Sequence, residues 1–124
     1  MARVVHFEIH AADPEAAAQF YSTVFGWKVT KWEGPIDYWL VSTGEGRGID
    51  GGIVRRMGES AQPGAAVNAY VCTIGVDSLD ETQSAIVANG GAIAVEKHEI
   101  PGVGLLAYFK DPDGNIFGMM QPAE

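Results

Sequence analysis

The chain holds a single cysteine, Cys72, in 124 residues. No internal disulfide can form, so stability has to come from a packed core, which a domain of this length is large enough to build. Cys72 stands between apolar neighbours in an expected strand and reads as a small buried hydrophobe before it reads as a nucleophile. Positive charge is also scarce. Eight Lys and Arg face sixteen Asp and Glu, a formal charge of −8. A surface that acidic repels phosphate backbones and anionic lipid heads, which excludes nucleic acid and membrane as main partners. No apolar run approaches the roughly 20 residues of a membrane span. Met1-Ala2-Arg3 leads straight into a strand without the apolar segment of a signal peptide, so a reducing cytoplasm is the expected compartment.

Catalytic and phosphate-binding motifs are equally thin. Gly44-Glu45-Gly46-Arg47-Gly48 alternates glycines, but it lacks the lysine and the following helix of a phosphate loop and reads as a turn. No Gly-x-Ser-x-Gly elbow occurs, and Cys72 has no motif around it. Asp111 and Asp113 resemble a carboxylate pair, yet Asp111-Pro112-Asp113-Gly114 is a strong reverse-turn signal that accounts for both.

What the chain does have is one pattern stated twice. Val4 to His10 alternates with period two, placing Val5, Phe7 and Ile9 on one face and His6, Glu8 and His10 on the other. Asp13, Pro14 and Glu15 start a helix, whose expected core stripe is Ala17, Phe20, Tyr21 and Val24, and Gly26 closes it. The order returns with Ala69 to Gly75 as strand, a Ser78 and Glu81 capping box, Leu79, Thr82 and Ile86 as the inner helix face, and Gly90-Gly91 as the close. One interval, 65 residues, separates Asp13 from Ser78 and Gly26 from Gly91. Further strands are expected at Trp27 to Trp32, Tyr38 to Thr43 and Ile49 to Arg56 in the first half. Their counterparts in the second are Ala92 to His98, Gly104 to Lys110 and Asn115 to Gln121. One domain, 1–124, therefore divides into module one at about 1–57, a linker at 58–67 and module two at about 68–124.

His6 followed by Asp13-Pro14-Glu15 and Phe20-Tyr21, then Phe25-Gly26-Trp27, then Asp111-Pro112-Asp113-Gly114-Asn115, resembles the vicinal oxygen chelate superfamily of glyoxalases, bleomycin-resistance proteins and extradiol dioxygenases. The resemblance covers nearly the whole chain. It implies an α+β fold in which two tandem β-α-β-β-β modules form a curled eight-stranded cup with helices outside. It also implies a homodimer, since many relatives complete their sites by pairing two chains. In metal-dependent relatives one ligand sits on the first strand and one on the last strand of each module. His6 matches the first of these positions. The equivalent place in module two is Val71, and the glutamate that follows the terminal turn in such relatives is Gly118 here. The nearest last-strand candidates in module one are Gly51 and Gly52. Valine and glycine offer no lone pair, so the resemblance implies no family metal centre and no cofactor. A divalent metal (Zn, Fe, Ni or Mn) is kept only as the alternative.

His6, Glu8 and His10 share a strand face at i, i+2 and i+4. They are read as a wet face, as one polar group that orients a ligand, or as part of a displaced metal site. Val71 and Thr73 stand at the equivalent positions of module two and would give the cup an apolar wall. Trp39 or Tyr38, Phe109 or Tyr108, and Met120 complete the expected lining, with a one-residue shift of register exchanging each pair. Phe25 and Trp27 read as structural. The expected ligand-binding set is therefore His6, Glu8, Trp39, Val71, Thr73, Phe109, Gly118 and Met120, with His6 and Glu8 as candidate catalytic groups. Three functions stay open. The first is metal-independent binding of a small aromatic or amphipathic molecule. The second is a lyase, isomerase or dioxygenase of the glyoxalase type, with an unconventional metal site or a His6 or Glu8 general base. The third is an accessory module that binds no ligand.

Overall fold

The computed structural model describes residues 2–66, 68 and 70–124. Among them are eight strands and two helices, in the doubled β-α-β-β-β order of an α+β protein. β1 (Arg3–Ala11), α1 (Pro14–Phe25), β2 (Lys28–Lys31), β3 (Trp39–Ser42) and β4 (Asp50–Arg55) precede β5 (Val71–Gly75), α2 (Leu79–Ala88), β6 (Ala92–Ile100), β7 (Gly104–Lys110) and β8 (Ile116–Pro122). Contacts divide the chain into two compact units, one of residues 6–70 and one of residues 1–5 with 71–124, so the first strand is shared between them at Val5 and His6. Ala69, the expected start of a strand, lies outside the described residues, as do Met1 and Val67. None of the described helices is long and apolar enough to cross a membrane.

In the unit of residues 6–70 the strands lie in the order β2-β3-β4-β1, with β1 and β4 parallel and the other pairs antiparallel. Register fixes which side chains share a face. Trp39, Ile53 and Ile9 form one row across β3, β4 and β1, and Val41, Gly51 and Phe7 form another. Both rows face α1, and Phe7, Ile9, Trp39, Val41 and Ile53 are the buried core. Gly51 is small because β1 passes close over it, where a methyl group would run into the Phe7 backbone and ring. Asp13 caps α1, its carboxylate accepting from the Ala16 N–H at 3.1 Å, and Pro14 takes the first helical position. Gly26 ends the helix in the left-handed region at φ 75°.

The inner face of α1 differs from the expected stripe. Pro14 is buried, and Ala17, Ala18 and Tyr21 pack on the core, whereas Phe20 and Val24 are 56% and 55% exposed. At 3.6 residues per turn, positions 14, 17, 18 and 21 make one stripe and 20 and 24 fall on the row beside it. Tyr21 anchors the helix by stacking on Trp27, with centroids 5.1 Å apart and planes within 7°. Trp27 in turn packs on Phe7.

The second unit repeats the scheme with the order β5-β8-β7-β6, β5 and β8 being parallel. Ser78 caps α2 by accepting from the Glu81 N–H at 3.2 Å, and Leu79 is fully buried at the helix start. Leu79, Val76, Ala107, Phe109 and Met119 form the core, with Ile74, Ile86 and Phe117 packed against it. Cys72 is exposed, which corrects the expectation of a buried side chain. It shares a strand face with Ile74, but the cluster that covers Ile74 does not reach the start of β5. The terminal turn is tied by Asp111, whose carboxylate accepts from the Asp113 and Asn115 backbone N–H groups and from the Asn115 amide, all at 2.9 Å. The Asn115 side chain holds the Asp111 carboxyl below its ordinary pKa. Asp111 thus serves the turn.

Candidate functional site

The face of β1 that turns away from α1 carries His6, Glu8 and His10. Register places Glu8 in a row with Gly52 of β4 and Leu40 of β3, and His6 opposite Asp50. This face is not wet at its centre, because Glu8 is only 8% exposed. A buried carboxylate needs hydrogen-bond donors, and Tyr38 supplies one. Its phenol O–H donates to Glu8 Oε2 at 3.2 Å, and the same oxygen lies 2.7 Å from His6 Nε2. His6 and Tyr38 lie nearly parallel, with planes 18° apart. Glu8 Oε1 lies 3.7 Å from His10 Nε2, so the polar groups run His6, Tyr38, Glu8, His10 along the strand.

With the Tyr38 proton directed at the Glu8 carboxylate, which can only accept, the matching His6 tautomer is the one that donates from Nε2 to the Tyr38 oxygen and leaves the lone pair on Nδ1. Burial pushes the His6 pKa below its ordinary 6.5, against the upward pull of Glu8 and Asp50. The ring is therefore held neutral at physiological pH, with a basic nitrogen that can accept a proton or a ligand hydrogen bond.

Tyr38 reaches this position because Gly52 leaves room for it. A methyl group at Gly52 would stand inside the Tyr38 phenol, in contact with its oxygen and ring carbons. The Trp32 N–H donates to the Tyr38 carbonyl at 2.7 Å, fixing the backbone of the turn just before β3. Tyr38 is therefore the aromatic beside His6 and Glu8. Trp39 points the other way, into the core under α1 with Ile9 and Ile53.

The equivalent rows of the second unit show the same division. Thr73, Gly118 and Tyr108 form one row across β5, β8 and β7, and strand alternation puts Val71 and Met120 on that face too. Thr73 is 3% exposed. Ile74, Met119 and Ala107 form the neighbouring row on the core side, where Phe109 is fully buried against Phe117 with centroids 6.1 Å apart. Of the pair Tyr108 and Phe109, the structure sets Tyr108 on the face of Thr73 and Phe109 in the core. A Cβ at Gly118 would lie 2.9 Å from Thr73 Oγ1 and 3.1 Å from the Tyr108 ring. In each unit, then, a tyrosine stands against a glycine of the last strand.

The donor set does not fit the metal centre of metal-dependent relatives. His6 has the right chemistry, but its Nε2 already faces Tyr38. Val71, Gly52 and Gly118 bring no ligand atom, and the two glycine positions are closed by neighbouring side chains. Among the described residues no group of three or more His, Cys, Asp and Glu is arranged to hold a metal ion.

A doubled β-α-β-β-β chain with a histidine on its first strand and an Asp-Pro-Asp-Gly-Asn turn before its last is the plan of one superfamily. A sequence model of the glyoxalase/bleomycin resistance protein/dioxygenase superfamily matches residues 3–119, and the chain belongs to that family. CFP32 of Mycobacterium tuberculosis, which bears a provisional glyoxylase name, is 30% identical over 118 residues, or 94% of this chain. The chain spans only 42% of that relative's length. A glyoxylase-like domain-containing protein of Didymella fabae is 34% identical, with 87% of this chain and 84% of that protein aligned. Among solved structures, methylmalonyl-CoA epimerase from Mycobacterium tuberculosis superposes with a TM-score of 0.71 at 16% identity, covering 98% of this chain and 88% of that one. At that identity the likeness speaks for the fold alone.

Proposed function

We propose that this protein binds a small organic molecule, aromatic or amphipathic, through the His6, Tyr38 and Glu8 face of β1, without the family's metal centre. One observation carries the reading. The last-strand positions nearest the family's ligand sites, Gly52 and Gly118, lie under Tyr38 and beside Thr73 and Tyr108. Phenol and hydroxyl groups suit hydrogen bonding to an organic ligand far better than they suit a divalent cation. Exposed Leu40, in the same row as Glu8, adds apolar surface next to the polar chain.

The neutral His6 ring favours a second reading, an enzyme of the glyoxalase or isomerase type with His6 as general base. Its Nδ1 would take a proton from a carbon acid, while Tyr38, itself bonded to Glu8, holds the ring through Nε2. The names of the glyoxylase relatives support this direction without specifying a substrate.

Elemental analysis of the purified protein, with a thermal-shift screen of aromatic and amphipathic compounds, tests the first reading. The expected result is no stoichiometric Zn, Fe, Ni or Mn, and stabilisation by at least one compound that is lost in His6→Gln. About one metal per chain, released in His6→Ala, overturns the metal-free reading. A screen with no hit leaves the ligand-free accessory module as the better account.

A further inference from the structure

The polar series on β1 ends at His10, and its members differ in their access to water. The His10 side chain is 32% exposed, against 10% for that of Glu8 beside it. His10 also lines a cavity of about 310 Å³ at the end of β1, with Asn68, Tyr21 and Tyr70 among the other walls. That space is polar enough and large enough to hold several waters.

One ring nitrogen of His10 is turned the other way. Its Nε2 is buried, has no hydrogen-bond partner and lies 3.7 Å from Glu8 Oε1. A buried ring nitrogen without a partner is costly, and it calls for a cause. A carboxylate only accepts, so it has no proton to offer a nitrogen that presents its lone pair. A Glu8 that carried a proton would have one, and the gap would close to a hydrogen bond. On the far side of Glu8 the donors run in one direction. In the matching tautomer His6 Nε2 gives to the Tyr38 oxygen at 2.7 Å, and the Tyr38 O–H gives to Glu8 Oε2 at 3.2 Å.

We propose that His6, Tyr38, Glu8 and His10 form a proton relay that moves the positive charge generated at His6 out to His10, at the edge of the cavity. The relay rests on His6 acting as a base. When Nδ1 of His6 takes a proton from a carbon acid, the ring holds two protons and a positive charge. The Nε2 proton then passes to the Tyr38 oxygen while the Tyr38 proton passes to Glu8 Oε2. His6 is neutral again, Tyr38 still holds one proton, and Glu8 is an uncharged acid. A half-turn of its carboxyl group presents the proton to His10 Nε2, which becomes cationic beside the restored Glu8 carboxylate. The reverse series returns a proton to His6 Nε2 when Nδ1 releases its own to product.

Solvation gives the relay its direction. Burial disfavours charge on the His6 ring, whereas a cation on His10 has both a carboxylate and water beside it. Two further charged groups flank the series. Asp50 stands in register with His6 and is tied by the Thr43 N–H at 2.9 Å, outside the path. Arg56 opposes charge on His10, but its Nη2 is bonded to the His10 backbone carbonyl at 2.6 Å, while the Glu8 carboxylate faces the ring itself.

The test is an NMR measurement on the unliganded full chain, reading the exchange of the His6 Nε2 proton with water by saturation transfer on isotope-labelled imidazole rings. The relay gives this proton a route to solvent through His10. His10→Phe and His10→Gln cannot take up a proton, and each should slow the exchange by about tenfold or more. Loosened packing would open Nε2 to water and speed the exchange, so a structural defect has the opposite sign. Exchange that is unchanged or faster in either folded variant overturns the relay. No substrate is present, so the result is separate from the reading of His6 as a base: slowed exchange in a protein that deprotonates no carbon acid would leave the path standing and remove only its use in catalysis.

Discussion

Gly52→Ala is the smallest change that interrogates the polar chain on β1. The backbone at Gly52 does not lie in the left-handed region, so alanine is allowed there and would by itself stabilise by about 0.4–1 kcal/mol through the unfolded chain. The added methyl, however, occupies the place of the Tyr38 phenol, and Tyr38 has to leave. It gives up the contact with His6 at 2.7 Å and the bond to Glu8 at 3.2 Å. A neutral hydrogen bond contributes about 1 kcal/mol and one to a carboxylate about 1.5–3 kcal/mol. Tyr38 is half-buried, so the lower end applies, and the net loss should be about 1–2 kcal/mol. For a domain of this size that is a fall in Tm of about 4–8 °C by calorimetry or circular dichroism. The decisive comparison is the same substitution in a Tyr38→Ala background, where the methyl meets empty space and Gly52→Ala should be neutral or mildly stabilising. NMR titration supplies a second readout: with Tyr38 displaced, His6 regains water and its pKa should climb back toward 6.5. An equal cost in both backgrounds, or no cost in either, refutes the claim that Gly52 exists to seat Tyr38.

Two further expectations concern protons. Because the folded pKa of His6 is depressed, the unfolded chain binds the extra proton first as pH falls. The stability tied to this ring is intact above pH 6.5 and is lost progressively below it, and chemical denaturation across pH 5–7 should show a smaller slope in His6→Gln. A slope unchanged by that substitution would remove His6 from the buried chain. Tyr70 is pushed up to about 12, chiefly by burial and then by its bond to Tyr21. An ultraviolet absorbance titration should therefore find at least one tyrosine ionising well above 10. Tyr21→Phe should lower that value without returning it to 10, since burial remains, and normal titration of all four tyrosines would contradict the Tyr21–Tyr70 contact.

Much of the fold was legible because it rests on local signals. Asp13 with Pro14, Ser78 with Glu81 and the closing Gly26 mark helix ends by backbone chemistry that needs no tertiary information, and α1 and α2 begin at those marks. Faces were harder to read. Tyr38 and Trp39 are adjacent and both aromatic, so nothing local says which one enters the core. The pairing of Trp39 with Ile53 decides it, and that pairing joins strands separated by a glycine-rich turn. Tyr108 and Phe109 pose the same choice, settled by the pairing of Tyr108 with Gly118. The glycines were the missed signal. Gly52 and Gly118 read as absent ligands, although a glycine inside a strand also announces that something large approaches the backbone there. The strand alternation leaves Glu8 open between a wet face, a ligand-orienting group and a displaced metal site, and its burial is not legible locally because the phenol beside it comes from a residue 30 positions away.

The two glycines also bear on what kind of site a duplicated chain of this family can hold. Replacing a ligating glutamate by glycine alone leaves a gap that water would fill, with a carboxylate site weakened and the pocket otherwise open. Here neither position is a gap. Tyr38 lies over Gly52, and Thr73 with Tyr108 crowds Gly118, each arrangement built from residues of one unit. Both closures use groups that donate and accept hydrogen bonds and that bind divalent metals poorly at neutral pH. The polar character of the face is thereby kept while its affinity for a cation is lowered, and the buried carboxylate of Glu8 is satisfied by a phenol where a metal ion would otherwise have to serve. A single substitution that placed a carboxylate at Gly52 would meet the Tyr38 ring before it met any ion. The observed residues support one another as a hydrogen-bonding surface, and that mutual fit is the support for the proposal that an organic ligand is bound there in place of a metal.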